Sequence, residues 1–94
     1  MTYPAATAEV QIDEPHVRVT RWTFAPGTAT GAHVHEYPYV VVPVIPGTLT
    51  MVDDKGEHPA EMKLGVSYSR PKGVSHDVVN TSDGVVAFIE IEMK

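Results

Sequence analysis

Cysteine is absent from this 94-residue sequence, which excludes disulfides and thiolate metal ligands. That absence is compatible with the cytoplasm, the expected location. Basic residues are few: seven Lys and Arg stand against twelve Asp and Glu, a formal net charge of −5. The balance argues against nucleic acid or an anionic membrane surface as a partner. No apolar run approaches the roughly 18 residues of a membrane-spanning helix. The opening MTYPAATAEV has neither a basic segment nor an apolar one behind it, so no secretory signal is expected. Helical spacing of apolar residues is nearly missing too, which turns attention to strands.

Eight prolines and seven glycines punctuate short β-branched runs. HVRVTRWTFAPG alternates, placing Val17 and Val19 on one face and Trp22 and Phe24 on the other. YVVVPVIPG is a strand interrupted by Pro43 and Pro46, hence an edge strand or a bulged one. A strand from Thr48 to Val52 leads into a hairpin turn at Asp53–Gly56. Beyond it come a strand, a Pro-Gly turn, a strand, a Ser-Asp-Gly turn and a last strand over Val85 to Glu92. Six to eight short strands predict an all-β, antiparallel small barrel or sandwich, one domain spanning residues 1–94. So small a core, with no disulfide, favours a metal or a partner subunit as an additional source of stability.

In GAHVHEYPYVV, His33 and His35 are two apart, and a strand directs such residues to one face. Gly31 shares that face and leaves room above an ion. Two imidazoles so placed can reach one metal at about 2 Å. A second segment strengthens the case: Gly65, Pro71, Gly73, His76 and Asn80 fill every fixed position of G(X)5PXG(X)2H(X)3N. This resembles the second motif of the cupin family, and the chain's single asparagine falls on its asparagine position. Gly27, His33, His35 and Gly47 match the first cupin motif, G(X)5HXH(X)3-4E(X)6G, in part. The two motifs cover residues 27–80.

The resemblance implies a jelly-roll barrel, also called a double-stranded β-helix, with one divalent transition metal (iron, zinc, nickel or manganese) on His33, His35 and His76. It gives Asn80 a structural role and suggests a homodimer formed through the N-terminal strands. The family's usual glutamate is missing, since counting from His35 reaches Tyr39 or Val40. Glu36 should face away unless the chain kinks at Pro38. Three neutral ligands leave a divalent ion its full charge, suited to an anionic, bidentate ligand.

Three-histidine cupins include iron thiol dioxygenases and diketone-cleaving enzymes, so the resemblance points to an oxygenase acting on a small chelating molecule. A metal-containing module that binds or senses a small ligand, and a zinc or nickel isomerase or hydrolase, fit the same residues. Tyr39, standing where the carboxylate is missing, is the candidate catalytic side chain. Trp22, Phe24, Met51 and Phe88 are candidates for the cavity lining or the core. Arg18 shares the Trp22 face and could meet a substrate carboxylate, or lie solvated at a strand edge. His16, His58 and Arg70 read as surface residues. Glu90 and Glu92, alternating with Ile89 and Ile91, read as an outward face.

Overall fold

Alternation with period two governs nearly the whole chain, and the computed structural model, which describes residues 3–94, is accordingly built of strands. Met1 and Thr2, included in the expected domain, lie outside the described residues. Nine strands occur among the described residues, with no helix: β1 (Thr7–Glu14), β2 (Val17–Phe24), β3 (His33–Val34), β4 (Tyr39–Ile45), β5 (Gly47–Asp53), β6 (Gly56–Met62), β7 (Tyr68–Arg70), β8 (Ser75–Val79) and β9 (Val86–Met93). They form a five-stranded sheet, β1-β2-β9-β4-β7, facing a four-stranded sheet, β3-β8-β5-β6. Every pair of named strands is antiparallel. This is the expected all-β barrel.

Phe24, Leu49, Met62, Val86 and Phe88, all at most 4% exposed, fill one end of the space between the sheets. Asn80, completely buried, closes that end. Its Nδ2 donates to the carbonyls of Phe24 at 2.9 Å and Gly84 at 2.8 Å. Its Oδ1 accepts from the Ser82 amide at 3.0 Å and hydroxyl at 2.6 Å. The asparagine thus satisfies the following turn, as expected, and also ties it to the end of β2. Gly47 is obligatory for a different reason: a Cβ there would lie 2.5 Å from Val86 Cγ2.

Pro43 sits inside the sheet, between β9 and β7, and the ladder slips one residue between Pro43 and Ile45. The proline therefore marks a bulge against β9, on a stretch of β4 that runs past the last β7 pair at Val41. The β5–β6 hairpin turns at Asp53–Gly56, where Asp53 Oδ1 accepts the Lys55 amide at 2.8 Å. β1, one of the four edge strands with β7, β3 and β6, is exposed along all eight residues.

One expectation is reversed. Glu90 and Glu92 point between the sheets, and Ile89 and Ile91 point outward. Register explains it: Glu92 pairs with Arg18 and Tyr39, and Glu90 with Thr20 and Val41, all on the inward face of their strands. The outer face consequently carries a half-exposed apolar row, Ile12, Val19, Ile91 and Val40.

Candidate metal centre and its cavity

His33 and His76 are direct cross-strand partners in the β3–β8 pair, a placement that brings opposing side chains together. His35 lies just past β3, its backbone clamped at both ends. Its amide donates to the Val74 carbonyl at 2.9 Å, and its carbonyl accepts the Gly73 amide at 2.8 Å. The Pro71–Gly73 turn thereby holds His35 beside the other two histidines.

The result is a convergence of ring nitrogens. His35 Nε2 lies 3.0 Å from His33 Nε2 and 3.1 Å from His76 Nε2. The three residues offer one nitrogen each within 4.8 Å of one another, a group that could hold a metal ion. Two nitrogens 3.0 Å apart can each lie about 2.0–2.1 Å from a shared ion, with an angle near 90° at the ion.

The protonation pattern suits that use. His33 Nδ1 donates to the Gly31 carbonyl at 2.7 Å, leaving the Nε2 lone pair pointed at the other rings. Gly31 thus supplies an acceptor, a role its lack of a side chain did not announce. Burial, then the His33 ring, pushes His35 down to about 4; burial, then the His33 and His35 rings, does the same for His76. Both are neutral near pH 7, the form that binds metal.

Tyr39 is 3% exposed and stacks on His35, with ring centroids 3.9 Å apart and planes 18° from parallel. Burial raises its phenol to about 12, so it stays protonated, and it is not among the converging donors. Glu36 is also outside that group, although the chain does bend at Glu36 and Tyr37.

The histidines open into a cavity of about 550 Å³ whose lining includes Trp22, Met51 and Phe88 as well as Tyr39. Phe24 lies beneath it, fully buried in the core. Arg18 is paired, although its side chain is 35% exposed: its Nε and Nη2 donate to Glu92 Oε1 and Oε2 at 2.8 and 2.9 Å. Glu90 lines the same wall, raised to about 7 by burial first and by Glu92 second. His16, His58 and Arg70 are exposed as expected, with His58 Nε2 3.0 Å from Asp53 Oδ1.

Sequence reading missed the Arg18–Glu92–Glu90 wall. The signal was present, since Phe88, Glu90 and Glu92 share one parity and Phe88 was already a candidate for the interior.

Residues 20–92 match the family model described as "Cupin domain". The chain is 45% identical over 91 residues to a β-alanine degradation protein, BauB, of Pseudomonas aeruginosa, covering 97% of this chain and 96% of that one. A crystal structure of a cupin domain from Bordetella pertussis Tohama I superposes with a TM-score of 0.95 at 47% identity, covering 100% and 98% of the two chains. A Cupin 2 conserved barrel domain protein from Salinispora arenicola shares the fold at a TM-score of 0.73 and 22% identity, over 95% of this chain and 76% of that one.

Proposed function

This chain belongs to the cupin family, and from that premise we propose that it is a mononuclear metalloenzyme of the three-histidine kind, an oxygenase acting on a small chelating molecule. His33, His35 and His76 would hold one divalent transition metal. The observation that carries the reading is the convergence of three Nε2 atoms, with the His33 tautomer set by the Gly31 carbonyl. When bound, such an ion supplies a Lewis-acidic centre with coordination positions left open to substrate and, if it is iron, to dioxygen.

The chain's own residues do the rest. The Gly31 carbonyl and the Gly73–Val74 backbone orient His33 and His35. Tyr39 backs the His35 ring and keeps its proton, so it serves as a hydrogen-bond donor toward the cavity rather than as a ligand. Trp22 and Phe88 from one sheet and Met51 from the other would give the bound molecule an apolar lining that excludes water.

Metal analysis of the purified chain should find about one equivalent of a transition metal, lost in His76→Ala. Anaerobic loading with ferrous iron should then give oxygen consumption with a member of a panel of thiols, diketones, hydroxy acids and β-amino acids. β-Alanine belongs in that panel because of the P. aeruginosa relative's name. Metal bound with no turnover of any member, but with thermal stabilisation by one, would make the protein a binding module. Turnover with zinc alone would make it an isomerase or hydrolase, and no metal at all would end the proposal.

We also propose a homodimer formed through β1. Support comes from its exposed edge and from the adjoining Ile12–Val19–Ile91–Val40 row. Sedimentation should show a dimer that Ile12→Lys dissociates.

A further inference from the structure

The wall opposite the histidines carries groups that the proposed metal site leaves unused. Glu90 sits on β9 between Thr20 of β2 and Val41 of β4 and lines the cavity. Among the described residues, no lysine or arginine nitrogen lies within ion-pair distance of it. The guanidinium nearby is committed, because Arg18 makes both of its short contacts to Glu92. One row deeper, Trp22 and Phe88 face each other across β2 and β9 and line the same space.

Charge arithmetic sets the sign of the missing partner. Arg18 and Glu92 cancel, and an ionised Glu90 leaves the wall with one uncompensated negative charge. A ligand carboxylate there would face two carboxylates and, among the residues lining this cavity, no guanidinium but the committed Arg18. A ligand ammonium would bring the wall to neutrality, giving its three N–H donors to Glu90 and to the neighbouring Thr20 hydroxyl. Trp22 and Phe88, lining the cavity one row away, are aromatic residues of the kind a cation packs against.

We infer that Glu90 is the specificity-determining residue for the end of the substrate remote from the histidines, and that this end is a primary ammonium. The inference deepens the reading of the cavity as a substrate site, but the ammonium contact requires no metal.

Proton linkage follows. Burial holds empty-site Glu90 at about 7, and an adjacent ammonium favours the carboxylate, so binding should tighten as pH rises from 6 to 8. The other charged or titratable groups lining this side of the cavity are Arg18 on β2, Glu92 on β9, Tyr39 on β4, Asp13 on β1 and Glu36 in the bend before β4, with Arg70 and Tyr68 of β7 paired beside Tyr39 and Val41. His33, His35 and His76 face it from across the cavity. Tyr39 is held at about 12 and Tyr68 is also raised by burial, while His35 and His76 lie at about 4; none of these four changes charge in that window.

The test uses the single tryptophan, which lines the cavity, as a fluorescence and indole N–H reporter. Propylamine, propan-1-ol and propionate are titrated into the full chain without added metal and again after zinc loading. Propylamine should bind about 10-fold more tightly than either of the others, and Glu90→Gln should weaken it about 10-fold and abolish the rise with pH. Glu90→Asp, which keeps the charge one methylene shorter, should retain the preference for amine over propionate.

Propionate binding as tightly as propylamine, or a folded Glu90→Gln chain that binds propylamine unchanged, would overturn the inference. Since the metal-free arm stands alone, such a failure leaves the three-histidine proposal intact. Conversely, a chain that takes up no metal still reports on Glu90.

Discussion

Along β2 the inward side chains run Phe24, Trp22, Thr20, Arg18, and along β9 beside it Val86, Phe88, Glu90, Glu92. The same two strands therefore build an apolar lower interior and a charged upper one. The changeover falls between Trp22–Phe88 and Thr20–Glu90. Below it, Phe24, Val86 and Phe88 are at most 4% exposed, Trp22 is partly buried against them, and the side chains contribute to stability through packing. Above it, an ion pair and a carboxylate without a cationic partner face the cavity that the histidines share. Desolvating such groups costs stability unless they are paired or meet a ligand, so the upper half is organised for binding.

If that division is sound, the two halves should respond oppositely to substitution. In the lower half, Leu49→Ala removes a completely buried side chain and should cost about 2–5 kcal/mol in urea unfolding, with metal uptake retained by the folded fraction. Loss of metal affinity without loss of stability would break the comparison.

The upper half should show a conditional penalty. Arg18→Met leaves the Glu92 carboxylate, 7% exposed, without its partner, and should cost about 2 kcal/mol because Arg18 itself is partly open to solvent. Adding Glu92→Leu should recover most of that loss, since no unpaired charge then remains. A double variant as unstable as the single one would mean that the pair stabilises the fold in its own right.

Much of this architecture was legible in the sequence. Alternation and turn residues identify most of the long strands, and His33, His35 and His76 are marked by their motif spacing and meet as expected. β7 is the strand expected before the Pro-Gly turn and β3 the one expected to carry the histidine pair, each shorter than period two alone would define, while β1 is the strand not assigned from the sequence. Pro43 was compatible with an edge or a bulge, and the pairing shows features of both: a register slip against β9 and no β7 partner on the other side, where the ladder ends at Val41.

The inversion of Glu90 and Glu92 has a definite physical origin. Reading the isoleucines as inward assumes that a barrel interior is wholly apolar. Here the interior contains a polar cavity, and the outer face keeps an apolar row at the sheet surface. Parity with Phe88 carries the correct orientation; hydrophobicity alone does not. Tyr39 shows a different limit: spacing places it beside the ligand motif, but stacking on His35 depends on where β4 enters after the bend at Glu36 and Tyr37.

The smallest expected effect is also the sharpest discriminator, because it separates the two walls of the upper half by the sign of their pH dependence. His35 and His76 are held at about 4, below the ordinary 6.5, so the stability associated with their neutral forms is present above about 6.5 and drains as pH falls through 4. Glu90 is held at about 7 against an ordinary 4.5, so its contribution is full below about 4.5 and drains as pH rises through 7. Glu90→Gln removes only the second loss. In metal-free protein it should therefore raise stability by on the order of 1–2 kcal/mol at pH 8, after allowance for the open side of the cavity, and leave it nearly unchanged at pH 4.5. Urea midpoints at the two pH values provide the measurement. An equal gain at both would show that the substitution acts through packing, and no gain at pH 8 would place Glu90 in water rather than in the wall.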